Sequence, residues 1–218
     1  MNMSLNILYE DEHLIVLNKP AGQIVIPGRG TVTQEPLVRQ VEQYWAAKAY
    51  VVHRLDQETS GVILFARNAD THRDLCIQFE RREVRKIYFA VVQGVVANDG
   101  TIRKPLRQFG SGRMGIDPKS QPAITNYRVI ARLKNCTLLE ILPETGRRHQ
   151  IRVHLYALGH PVLGDPLYGH NRPVGGAARL MLHAYELTFR HPSGQTVTFR
   201  AEPGADWRKV ISQFDYRN

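Results

Sequence analysis

From residue 86 onward the chain is dominated by hairpins, and that limits what it can become. KIYFAVVQGVV (86–96) is a long run rich in β-branched and aromatic residues. Asp99-Gly100 follows as a turn. Thr125–Leu133 and Cys136–Leu142 are two further strand signals joined at Lys134-Asn135, and Arg179–Arg190 meets Gln195–Ala201 across Ser193-Gly194. Such short turns join antiparallel neighbours, because a parallel crossover takes about a dozen residues or more. A regular alternation of strand and helix is therefore excluded.

The remaining pattern inserts single helices between strands. Ile7–Lys19 reads as two short strands around Glu10-Asp11-Glu12. Leu37, Val38, Val41, Tyr44 and Trp45 form one apolar stripe of a helix over 36–48. Gly61–Ala66 is a short buried strand, and Asn68 caps a helix through Phe79. Residues 107–122, rich in Gly, Arg and Pro, read as a loop. Thr145-Gly146 opens a helix through Leu158, ended by Gly159 and Pro161, and a last helix runs from Ala205 to Phe214. The expected class is α+β with a mainly antiparallel sheet, in one domain spanning 1–218 with no linker and no repeat.

Charge narrows the partner. The net charge is +9, and 103–152 alone holds 11 Lys+Arg against 3 Asp+Glu. A concentrated basic excess suits a polyanion, nucleic acid before membrane. Cys76 and Cys136 have no metal or disulfide spacing, which suits a reducing compartment. The start lacks a basic signal-peptide region, and no apolar run approaches the ~20 residues of a bilayer span, so a cytoplasmic protein is expected.

Two motifs are decoys. Gly110-Ser111-Gly112-Arg113-Met114-Gly115 matches a dinucleotide fingerprint but lacks the strand before it and the helix after it. It reads instead as a mobile basic loop able to touch phosphate. His149 and His154 are five apart, where a helical metal pair is four apart, so no shared metal is expected.

Two others carry chemistry. In PETGRRHQIRVH (143–154), Thr145 and Gly146 at a helix start offer free N–H groups to an anion, with Arg147, Arg148 and Arg152 around them. Arg148 and Arg152 read equally well as a solvated basic face. In HRLDQETSG (53–61), Asp56 follows Arg54 at a turn. It is either an ordinary turn carboxylate or a nucleophile held ionised by cations.

Taken together the motifs resemble the RluA-type pseudouridine synthase family. LNKPAG (17–22), HRLDQETSG (53–61), KIYFAVVQG (86–94), QPAITNYRV (121–129), LPETGRRHQIRVHLYALGHPVLGDPLYG (142–169) and RLMLHAYELTFRHP (179–192) follow the family's order. His53 before Arg-Leu-Asp points to the RluA branch. The chain resembles a catalytic domain alone, without an N-terminal S4-type RNA-binding domain. The resemblance implies the pseudouridine synthase fold, a mainly antiparallel mixed sheet with flanking helices and a central cleft. It implies isomerisation of uridines in structured ribosomal or transfer RNA, with base flipping. Asp56 would be the nucleophile or an equivalent acid/base carboxylate, Arg147 its cationic partner, and Tyr88 the ring that stacks on uracil. Arg54 would occupy space beside the flipped nucleotide, with His53, Thr145, Gly146 and an apolar Leu182 also around it. Arg103, Lys104, Arg107, Arg148 and Arg152 would track phosphates. The chemistry implies no metal and no organic cofactor. A monomer bound to RNA is expected, with neither DNA nor membrane as partner.

Overall fold

The structure, a computed structural model, describes residues 5–28, 34–169 and 177–213. In chain order its first elements are β1 (Ile7–Glu10), β2 (Leu14–Lys19), α1 (Leu37–Trp45), β3 (Tyr50–Val51), β4 (Ser60–Ala66) and α2 (Ala69–Glu80). Then come β5 (Arg85–Gln93), β6 (Gly100–Arg103), β7 (Leu106–Gln108), β8 (Met114–Ile116), β9 (Ile124–Leu133) and β10 (Cys136–Pro143). The last are α3 (Gln150–Ala157), β11 (Leu182–Arg190), β12 (Thr196–Arg200) and α4 (Ala205–Gln213). The Phe214 end expected for α4 lies outside the described residues.

Contacts divide the chain into two compact units. One takes the chain up to Lys86 together with Ala184–Glu202; the other takes Ile87–His183 and the chain from Pro203 onward. The crossings at 86–87 and 183–184 fall inside strands, which is why no linker composition marks them.

In the first unit β2 lies between β1 and β4, and β3 also pairs with β4, all antiparallel. Successive side chains of a strand point to opposite faces, and Leu14, Ile15, Val16 and Leu17 are all buried, so both faces of β2 are covered. β11 and β12 form an antiparallel pair. Leu14, Val16, Val62, Leu64, Leu75, Leu187 and Phe189 make the core. α2 is capped as expected, with the Asn68 side chain accepting from the Thr71 amide at 2.9 Å. α1 buries Leu37, Val38, Val41 and Trp45, but Tyr44 leaves the stripe. Its ring is exposed and its hydroxyl donates to Glu10.

The second unit is built on antiparallel pairs of β10 with β5 and β9, and of β6 with β9. Val91, Val92, Leu139, Ile141, Leu155, Leu163 and Trp207 are among its core. Two expectations change here. Residues 107–122 are not simply a loop, because β7 and β8 pair as a separate hairpin. The dinucleotide-like motif is that hairpin's tip: the Gly112 amide donates to the Phe109 carbonyl, the Phe109 amide donates to the Arg113 carbonyl, and Gly112 takes φ +78°. The helix expected from Thr145 begins only at Gln150. Both described cysteines are free thiols. No described helix is long and apolar enough to cross a membrane.

Candidate active site

Asp56 belongs to the first unit, on the loop between β3 and β4. The loop starts where the β3–β4 ladder stops, at Val51 opposite Phe65. His53 extends it with a side chain, its Nε2 accepting from the Leu64 amide at 3.3 Å. Its ring stacks on Phe79, with centroids 4.8 Å apart. Desolvation, aided by the Lys86 charge, pushes the His53 pKa down to about 3. The imidazole is therefore neutral near pH 7, and the contacts described are those of a loop support. Arg54 is exposed, Leu55 buried and Asp56 half-buried. A turn then closes through the Asp56 carbonyl, which accepts from the Thr59 amide at 3.1 Å.

What fixes that turn is Lys19, a residue of LNKPAG for which no role was expected. It is fully buried, and its ammonium donates to the carbonyls of Pro20, Gln23 and Gln57 at 3.0, 2.8 and 2.8 Å. The Gln57 carbonyl also accepts from the Gly22 amide at 2.9 Å, and the Gln57 side chain donates to the Gly22 carbonyl. LNKPAG and HRLDQETSG thus fold as one construction, in which a buried cation gathers the carbonyls of two turns. The detectable signal was a lysine ending the apolar run LIVLNK, since a buried ammonium needs partners.

Tyr88, Arg147 and the basic positions belong to the second unit. Tyr88 is half-buried on β5, opposite Ile141 of β10. Arg147 and Arg148 are exposed on the turn before α3. Thr145 is not an open helix start. It is buried, its hydroxyl accepts from the Ile124 amide at 2.9 Å and donates to Gln150 Oε1 at 2.7 Å. Gln150 Oε1 also accepts from the Arg147 amide at 3.0 Å, while Nε2 donates to the Ile124 carbonyl and Thr125 Oγ1. This buried glutamine holds the Arg147 turn against β9, a role that nothing in the local sequence marks. Gly146 stays exposed on the same turn.

Arg152 is a correction. It is 3% exposed and makes a two-pronged pair with buried Asp165, both bonds 2.8 Å. Burial would raise the Asp165 carboxyl, but hydrogen bonds and charge from Arg152 hold it below the usual carboxylate range. A guanidinium spent this way is not a phosphate contact. Asp165 also accepts from the Leu167 and Tyr168 amides, and the Tyr168 hydroxyl sits 2.9 Å from His149 Nδ1. His154 is likewise internal: it bonds Thr125 Oγ1 and the Lys104 carbonyl, and burial lowers its pKa. Leu182 is 3% exposed within the apolar core, the contacts of an ordinary strand leucine. Arg103, Lys104 and Arg107 are exposed, with Arg107 3.2 Å from Asp117.

The comparisons with known proteins agree with the motifs. A sequence model of the RNA pseudouridylate synthase family matches residues 13–157. The chain is 40% identical to the dual-specificity RNA pseudouridine synthase RluA of Haemophilus influenzae, covering 91% of this chain and 93% of that one. It is 38% identical to tRNA pseudouridine synthase C of Pectobacterium carotovorum and 38% identical to ribosomal large subunit pseudouridine synthase D of Nitrosomonas europaea. Those alignments cover 98% and 90% of this chain but only 63% and 61% of those longer relatives. Among solved structures, human RNA pseudouridylate synthase domain containing 4 superposes with a TM-score of 0.79 at 26% identity, over 96% of this chain and 92% of that one. The chain belongs to the RNA pseudouridylate synthase family.

Proposed function

We propose that this chain converts uridines in structured RNA to pseudouridine, with large-subunit ribosomal RNA and transfer RNA as the substrate classes. Family membership supports the reaction, and the relatives' names span both RNA classes. The observation that carries the reading is the Asp56 turn: HRLDQETSG is present in full and its backbone is clamped by a fully buried lysine. A carboxylate doing chemistry needs a fixed position, and this turn provides one.

In this reading the uridine leaves its stack, at a cost of a few kcal/mol. Asp56 drives cleavage of the C–N glycosidic bond. The uracil turns and rejoins the ribose through carbon, and the proton displaced from that carbon is balanced by the one gained at nitrogen. The isomerisation balances without a cofactor. Arg147 supplies a fixed positive charge, since a guanidinium stays protonated when solvent is excluded. Tyr88 stacks on the base and its hydroxyl assists removal of the ring proton. Arg54 stands beside the vacated position, and exposed Arg103, Lys104, Arg107 and Arg148 meet phosphates. The enzyme works as a monomer in the cytoplasm, on RNA and not on DNA.

The test is Asp56→Asn, nearly isosteric but uncharged. Bulk RNA incubated with the variant should gain no pseudouridine, while RNA affinity and melting temperature stay near wild type. Near-normal turnover by the variant would overturn the assignment.

A further inference from the structure

In the proposed function the β7–β8 hairpin has only one role, the Arg107 phosphate contact, and the rest of it has none. Its base is fixed: Leu106, Met114 and Ile116 pack with Ala123, Val153 and Tyr168. The Tyr168 hydroxyl accepts from the Met114 amide at 3.0 Å, and the Ser120 hydroxyl donates to the Leu106 carbonyl at 2.8 Å. Its tip is a closed turn with a left-handed glycine, Gly112. On this firm support stands Phe109, 44% exposed. Its ring lies directly against Gly115, where an added Cβ would stand 2.8 Å from the ring edge. The Arg107 guanidinium carbon is 5.8 Å from the ring centroid. Arg113 and Lys119 are exposed nearby in sequence, and between 103 and 119 five basic residues face one acid, Asp117.

An exposed aromatic on a rigid support is poorly placed for water and well placed for a flat ligand. The surrounding charge says that the ligand is an anion. An aromatic face set among guanidinium and ammonium groups matches an unpaired nucleotide, whose base stacks while its phosphates are neutralised. A duplex hides its base faces and offers this hairpin only phosphates. We propose that the β7–β8 hairpin docks an unpaired RNA base on Phe109, with Arg107, Arg113 and Lys119 meeting the flanking phosphates. The proposal rests on the RNA-modifying reading and gives it a structural preference: substrate uridines lie next to unpaired nucleotides.

The experiment compares wild type, Phe109→Ala and Phe109→Trp. The probes are a fluorescein-labelled RNA stem-loop with purines and uridines in its loop, and a fully paired duplex of the same composition. Phe109→Ala should bind the stem-loop between about fivefold and about a hundredfold more weakly, the range of one lost base–aromatic stack. Its duplex affinity and melting temperature should match wild type. Phe109→Trp should keep the stem-loop affinity and show quenched indole fluorescence on binding. Equal losses on stem-loop and duplex would overturn the proposal, as would wild-type affinity for both, the outcome expected if Phe109 meets a protein instead. Pseudouridine formation by the wild type in bulk ribosomal RNA is measured alongside. Its absence sinks the catalytic reading, whereas an unaltered Phe109→Ala affinity with an active wild type sinks this proposal alone.

Discussion

The two turns that carry the proposed chemistry are held by opposite means. In the first unit one charged group does the holding, the Lys19 ammonium reaching carbonyls from Pro20 to Gln57. In the second unit neutral groups do it, with the Gln150 amide and the Thr145 hydroxyl each donating and accepting. An ammonium has three donors and no acceptor, so it can collect carbonyls from distant segments but must be desolvated to do so. An amide gives and receives, so it can bind a strand edge and a turn together with no charge to bury. The Asp56 turn is thus a long-range construction. The Arg147 turn, by contrast, rests on its own helix start and on β9.

The largest expected effect breaks the first turn from its far end. Gly61 has φ +115°, and a Cβ there would stand 2.1 Å from the Ala184 carbonyl oxygen and 2.7 Å from the Ala184 nitrogen. Those are backbone atoms and cannot swing aside. Gly61→Ala should lose on the order of 4 kcal/mol or more, in the severe tail of single substitutions. Urea unfolding measures it. A loss under about 1 kcal/mol would show that β4 and the 184 region yield locally.

Next comes a direct contest between the clamps. Lys19→Met leaves three carbonyls without their ammonium, of which the Gln57 carbonyl keeps the Gly22 amide, and an unpaired buried group costs about 1–3 kcal/mol before relaxation. We expect a loss on the order of 3 kcal/mol, with turnover falling further than folded fraction as the Asp56 turn loosens. Gln150→Leu should cost about 2 kcal/mol and lower turnover through Arg147. If Gln150→Leu proves the more damaging of the two, the contrast between a charged and a neutral clamp does not set their cost.

Most of the strand pattern was legible because hairpins carry local signals: turn residues between alternating or apolar runs. The Asp56 turn stood out because HRLDQETSG is dense in chemistry. What failed to show was direction. Arg148 and Arg152 look alike in GRRHQIR, yet Arg148 is exposed and Arg152 is buried against Asp165, thirteen residues on. No local pattern decides which arginine meets a distant carboxylate. Thr145 likewise reads as a helix start, but its hydroxyl is engaged by the Ile124 amide from another strand. Lys19 and Gln150 were overlooked for the same reason, since their partners are tertiary.

A smaller effect follows from His53, which supports the first turn in its neutral form. Its folded pKa is depressed to about 3, below the ordinary histidine value. The unfolded chain therefore binds the extra proton first as pH falls. Stability is full above about pH 6.5 and declines from there toward pH 3, with a slope of at most ~1.4 kcal/mol per pH unit for one proton. Buried His154, also lowered, adds to the decline in the same direction. His53→Gln keeps an acceptor for the Leu64 amide and removes the titration, so its stability curve between pH 7 and pH 5 should be flatter than wild type. Parallel curves would show that His53 is not the group that titrates.

The smallest effect belongs to the second turn, and its size is what makes it useful. Gly146 sits one residue before Arg147 yet is exposed, and it is absent from the glycines with positive φ. A Cβ built there meets no atom within 4 Å. Nothing in the fold demands glycine, in contrast to Gly61. Gly146→Ala should therefore change stability by less than about 0.5 kcal/mol, with any shift toward greater stability because the unfolded chain loses freedom. A change in RNA affinity or turnover at unchanged melting temperature would then have one physical source: a ligand that approaches the backbone closely enough to feel a methyl group. The family resemblance implies Gly146 beside the flipped nucleotide, so the Gly146→Ala variant should bind RNA more weakly while melting like wild type. Wild-type affinity at wild-type melting temperature would remove Gly146 from the RNA surface and leave Arg147 and Arg148 as that turn's proposed contacts. A clear drop in melting temperature would mean that the turn is held more tightly than its open surroundings indicate, and would weaken the contrast with Gly61.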